Sequence, residues 1–141
     1  MKTFDASLEI PATAEQVFAA IASPERLARW RGPAGFTNTF DTCEFEKGGR
    51  WSLIMHGLDG RNYPNESVFA EIEPLRKVVA EHPSEPKYRL VIALAPSTGG
   101  TVVSWSQTFE NPEVARRIEH IVVPANKQNL ERLSDEVRRH P

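Results

Sequence analysis

The stretch NPEVARRIEHIVVPANKQNLERLSDEVRRH, residues 111–140, decides the fold. Asn111 followed by Pro112 is a helix start, because asparagine accepts from the free amide protons of a first turn and proline fits the first helical position. From there Val114, Ile118, Ile121, Val122 and Ala125 recur at helical spacing, and Leu130, Leu133 and Val137 carry the stripe onward. At ~1.5 Å per residue such a helix is roughly 40 Å long. Pro124 removes a backbone hydrogen bond inside it, so a kink is expected there. Arg116, Arg117, Glu119, Lys127 and Arg132 occupy the other faces, which is too much charge for a membrane span. Something must cover the apolar stripe, since a helix of this kind is held by its packing more than by its propensity.

The cover is upstream, where the period is two. Val103, Trp105, Gln107 and Phe109 alternate with Val102, Ser104, Ser106 and Thr108, and Tyr88, Leu90, Ile92 and Leu94 alternate before the turn at Gly99-Gly100. Residues 77–82 read as a short strand with an ambiguous inward face. Glu66, Val68, Ala70 and Ile72 share one face of the strand that ends at Pro74. Trp51, Leu53 and Met55 share a face of the one before it, with Asp59-Gly60 as a tight-hairpin signal between the two. Residues 36–45 give a further strand, entered from a turn at Gly32-Pro33-Ala34-Gly35 and closed by Lys47-Gly48-Gly49. At the start, Phe4, Ala6, Leu8 and Ile10 alternate with Asp5, Ser7 and Glu9. Thr13 and Gln16 then stand at capping-box spacing, and Ser23-Pro24-Glu25 repeats the start signal. Two short helices follow, with Val17, Phe18 and Ile21 on one and Leu27 and Trp30 on the other.

This order predicts an α+β fold. A curved antiparallel sheet of about six to seven strands wraps around the long C-terminal helix, with two short helices after the first strand. Length and composition fit one domain over residues 1–141: 40% hydrophobic, 26% charged, formal net charge -2. That charge gives no general attraction to nucleic acid. The single cysteine, Cys43, forbids an internal disulfide and fits a reducing compartment, and Met1 to Asp5 lack the apolar core of a secretion signal, so a cytoplasmic location is expected.

With the order in view, the chain resembles the START-like (SRPBCC) superfamily and, within it, the homologues of the activator of heat-shock protein 90 ATPase. The resemblance is carried by Ile10-Pro11-Ala12 with Val17-Phe18 and Ile21, by Ser23-Pro24-Glu25-Arg26-Leu27 with Trp30, and by Gly48-Gly49-Arg50-Trp51. It continues through Glu71-Ile72-Glu73-Pro74 and Gly99-Gly100-Thr101 to Asn129-Leu130-Glu131-Arg132-Leu133. It implies the helix-grip fold of the birch-pollen allergen and a hydrophobic cavity between sheet and terminal helix. Two departures stand out. The chaperone activator carries another domain ahead of its START-like one, for which this chain has no length, and Arg31 stands where relatives often have a second tryptophan.

Candidate functional residues come from polar groups on apolar faces, where an unpartnered group costs ~1 to 3 kcal/mol. Asn126 and Asn129 fall on the helix stripe, Glu66 shares parity with Val68, and Gln107 shares parity with Trp105. Trp30, Trp51, Met55, Tyr88 and Trp105 complete the expected lining, either of a pocket or of an ordinary core. Glu66 against apolar walls would have a raised pKa and act as general acid or base. His56, His82, His120, His140 and Cys43 lack the spacing of a metal site, so neither metal nor cofactor is expected. The leading expectation is a domain that binds a hydrophobic or amphipathic small molecule, without nucleic acid or membrane as partner. A cyclase- or hydrolase-type enzyme and a regulator of a heat-shock chaperone ATPase are the alternatives. Ile54, Phe69 and Val102, expected on the outer sheet face, would suit a homodimer.

Overall fold

The chain runs β1 (Lys2–Ile10), α1 (Ala14–Ala22), α2 (Pro24–Trp30), β2 (Thr37–Cys43), β3 (Arg50–His56), β4 (Asn62–Glu73), β5 (Lys77–His82), β6 (Tyr88–Ser97), β7 (Gly100–Phe109) and α3 (Pro112–Arg139). The computed structural model describes residues 1–32 and 34–140, apart from the side chain of Phe40. Pro33, in the middle of the expected turn, lies outside the described residues. All seven strands join one antiparallel sheet in the order β1-β7-β6-β5-β4-β3-β2. Strands β2 to β7 follow one another as neighbours, whereas β1 crosses over to pair with β7, so β1 and β2 are the two edges. Helices α1 and α2 lie in the connection between those edges, and the curled sheet holds α3 in its concavity.

Local signals explain the element ends. Thr13 and Gln16 form the reciprocal capping box of α1. Ser23 closes α1 and caps α2, with Pro24 in the first turn of the latter. Asn111 Oδ1 accepts from the amides of Glu113 and Val114 at the head of α3. Gly49 has no room for a side chain, because a Cβ there would run into the carbonyl of Glu44. Gly100, at φ +145°, would likewise meet the carbonyl of Ile10.

Four sequence expectations are corrected. The inward face of β4 is Ser67 and Phe69, opposite buried Trp51, while Glu66 is exposed. A register shift between Phe69 and Glu71 inserts a bulge that reverses the parity, so Ile72 again packs on the core. Pattern reading that extrapolates back from Ile72 therefore assigns the first half of β4 to the wrong face. For the same reason Phe69, expected outside as a dimer contact, is 1% exposed and stacks on Trp51 at 5.4 Å. Asp59-Gly60 lies within a longer loop between β3 and β4, where Gly57 N donates to Arg61 O and Asp59 Oδ1 accepts from Arg61 N.

The fourth correction concerns α3. Its C-terminal half is deeply seated through Leu130, Leu133 and Val137, but Ile121 is 58% exposed and Ala115, not Val114, is buried near the start. The helix continues through Pro124. Both Pro124 and His120, whose carbonyl loses its amide partner, are exposed, so water can take that bond.

Candidate ligand-binding site

Two apolar clusters hold α3 against the sheet. Near its start, Ala115 with Ile118 and Val122 packs on Phe4 and Phe109. Near its end, Leu130, Leu133 and Val137 join the main core with Trp30, Trp105 and Leu90. Between the clusters α3 runs along the edge strand β1, the strand it packs against most extensively. A groove of about 660 Å³ opens there, walled by Phe4, Ala6 and Leu8 of β1 and by Val123, Asn126 and Leu130 of α3. Lys127 and Glu131 also border it.

A guanidinium is buried in the core where α2 meets α3. Arg31 closes α2 with an extended backbone at φ -68°, ψ 138°, and the chain there is pinned from both sides. Arg132 Nη1 donates to the carbonyls of Arg31 and Gly32, Arg132 Nη2 to those of Arg29 and Phe36, and Asn38 Nδ2 to Arg31 O at 2.7 Å. So held, Arg31 sends its side chain into the interior, where the residue is 8% exposed. The guanidinium carbon lies 5.5 Å from the ring centroid of Trp51 and 5.3 Å from that of Trp105, a cation over two aromatic faces. Nη1 donates to Asn129 Oδ1 at 3.0 Å, and the same oxygen accepts from Gly32 N at 2.8 Å.

The electrostatics are unbalanced. Among the described residues no carboxylate forms an ion pair with Arg31. Burial pushes its pKa down, opposed by the neighbouring Tyr88 hydroxyl. Arg132 is lowered as well, by burial first and then by the like charge of Arg31. Arg31 Nε, Trp51 Nε1, Trp105 Nε1 and Asn126 Nδ2 are buried without partners, and so is Gln107 Oε1. Among the described residues, these four unmet donors stand against two unmet acceptors nearby, Gln107 Oε1 and Asn38 Oδ1. Each such group costs ~1 to 3 kcal/mol if it stays unpaired.

The expected site residues separate into three groups. Trp51, Tyr88, Trp105 and Asn129 surround Arg31, while Asn126 lines the groove and Gln107 is buried on β7 two residues after Trp105. Tyr88 stacks on His82 at 4.7 Å and tilts on Phe109. Asn129 is fully engaged, since its Nδ2 also donates to Ala125 O at 2.9 Å. Trp30 and Met55 belong to the packing: Trp30 Nε1 donates to Ala20 O at 3.1 Å and its ring meets Trp105 edge-on, and Met55 is partly buried at the core margin. Glu66 is on the wrong side of the sheet. It is exposed and paired with Arg50 at 2.7 Å, which removes it as an interior acid or base. The only buried carboxylate among the described residues is Glu136, bound to Arg26 and Arg29 where α2 meets α3. Arg31 itself was missed as a site residue. A charged residue just after a helix end is ordinarily solvated, and its only signal was that the resemblance led one to expect a second tryptophan there.

No grouping of three or more His, Cys, Asp or Glu that would hold a metal ion exists among the described residues. No helix among the described residues is long and apolar enough to cross a membrane.

Comparison with known proteins agrees with this architecture. No curated protein matches the chain. A solution structure from Arthrobacter aurescens superposes with TM-score 0.89 at 23% identity, covering 97% of this chain and 86% of that one. A crystal structure from Nitrosomonas europaea gives 0.87 at 18% identity, covering 97% and 94%. An AHSA1-like protein from Aeromonas hydrophila gives 0.81 at 18% identity, covering 98% and 93%. At such identities the likeness establishes the fold. The sequence model for the "Activator of Hsp90 ATPase homolog 1-like protein" family matches residues 11–138, and the chain belongs to that family.

Proposed function

We propose that the domain binds a small amphipathic molecule whose apolar body lies between β1 and α3. The observation that carries this reading is the groove left between the two clusters that seat the helix. Its volume of about 660 Å³ falls in the usual range for small-molecule sites, ~300 to 1,000 Å³. Its walls are mainly apolar, with Lys127 and Glu131 at the border. Stimulation of a heat-shock chaperone ATPase, the activity in the family's name, is a separate reading that the groove does not support and that an ATPase assay decides.

Titration of the ¹⁵N-labelled protein with neutral 1-naphthaleneacetamide tests the proposal. Amide shifts should cluster at Phe4, Ala6, Leu8, Asn126 and Leu130 and saturate at a single site. Shifts confined to the outer sheet face, or none up to millimolar ligand, would overturn it.

A further inference from the structure

We propose that the inner end of the groove is an anion site: the guest carries a carboxylate that meets the Arg31 guanidinium and the indole N–H groups of Trp51 and Trp105. This inference rests on the groove being the binding site and adds the chemical class of the guest.

The connection is structural. Asn126 lines the groove, yet its Nδ2 is fully buried. One turn further along α3, Asn129 holds the guanidinium of Arg31. On the sheet side, Ala6 lines the groove and is the register partner of Trp105, over whose ring the same guanidinium lies. Arg31, Trp51 and Trp105 lie one turn of α3 and one strand inward of the groove wall without lining it, so a guest reaches them only when Asn126 swings aside.

The surplus of donors selects the guest. An ordered water could satisfy some of these groups, but each water supplies donors as well as acceptors and carries no charge. A carboxylate is an acceptor only, with about four lone-pair sites, and its charge neutralises the buried cation. The acceptor Gln107 Oε1 remains for a hydroxyl or amide elsewhere on the guest. The indole faces are already covered by Arg31 and, for Trp51, by Phe69, so the body of the guest stays in the groove against Phe4, Ala6 and Leu8.

The test compares 1-naphthaleneacetate with 1-naphthaleneacetamide, near-isosteres that differ in charge, by calorimetry at neutral pH. The acid should bind at least about tenfold more tightly, as expected for a buried charge-assisted pair. Arg31→Met should bring the acid down to the affinity of the amide. A second readout needs no variant. Of the three indole N–H resonances, those of Trp51 and Trp105 should shift on adding the acid, whereas that of Trp30, already bonded to Ala20 O, should not. Equal affinity for the two ligands with unmoved indoles would overturn the anion site and leave the groove reading intact. Acid preference that survives Arg31→Met would overturn the role of Arg31. Failure of both ligands to bind would remove the groove reading and this inference together.

Discussion

Glu136→Gln tests how the C-terminal half of α3 is fastened to α2. Glu136 accepts from Arg26 Nε at 3.0 Å, from Arg29 Nε at 2.8 Å and from Arg29 Nη2 at 3.0 Å, and its side chain is 5% exposed. Glutamine keeps one acceptor oxygen and turns an NH₂ group toward an arginine, donor against donor. Hydrogen bonds to charged groups contribute ~1.5 to 3 kcal/mol each when buried. Arg29 is 50% exposed and regains water when released, so its share is discounted toward the surface ion-pair range of ~0 to 1 kcal/mol. Arg26, at 18%, has less solvent to return to. The net loss should be about 2 to 3 kcal/mol. With an unfolding entropy of ~2.1 cal/mol/K per residue, the melting temperature should fall by about 7 to 10 °C. Burial alone would push the Glu136 carboxyl up, but the hydrogen bonds from Arg29 and Arg26 outweigh it and hold the pKa below the ordinary value. A depressed carboxylate contributes stability that is fully present above the unfolded-state pKa, about 4.3, and is lost as pH falls through the folded-state value. Thermal melts of both proteins should therefore differ by a constant amount at pH 6 to 7 and converge below about pH 4.3. A gap under about 2 °C at pH 7, or one unchanged down to about pH 3, would refute the reasoning.

Three further substitutions bear on the interior. Arg31→Met keeps the apolar stem between the tryptophans and removes an unbalanced charge, so the ligand-free protein should melt at the same temperature or up to about 7 °C higher; a fall of more than about 3 °C would show that the charge is already compensated. Asn129→Asp puts a carboxylate where Oδ1 now lies 3.0 Å from Arg31 Nη1. The preference for naphthaleneacetate over its amide should then shrink from about tenfold to under about threefold, and calorimetry showing it undiminished would contradict the anion site. Ala6→Phe fills the groove from β1, so both ligands should weaken at least about tenfold with a melting temperature within about 3 °C of the parent; unaltered affinity would place binding elsewhere.

What the sequence disclosed follows from where the determining forces act. The caps at Thr13, Ser23 and Asn111 are local, and each stands in the structure as read. The alternation at Tyr88 to Leu94 and Val103 to Phe109 needs only a sheet with one buried face, and those strands keep it. Periodicity failed where a tertiary event interrupts it. The bulge after Phe69 reversed the faces of β4, which sent Glu66 out to Arg50 and Phe69 into the core. Ile121 follows the helical stripe but lies 58% exposed, because the buried face there runs through Ala115, Ile118 and Val122. Asn126, Asn129 and Gln107 were legible because a polar group on an apolar face is conspicuous in one dimension. Arg31 was not, because its burial depends on Arg132, Asn38 and Asn129, up to about a hundred residues away, pinning it.

The most direct measurement is a crystal structure of the protein with 1-naphthaleneacetate. The naphthyl ring should lie between β1 and α3, with a carboxylate oxygen about 2.7 to 3.0 Å from a guanidinium nitrogen of Arg31. A ligand bound outside the concavity, or Arg31 Nε and the two indoles already satisfied by protein groups in a filled interior, would contradict it.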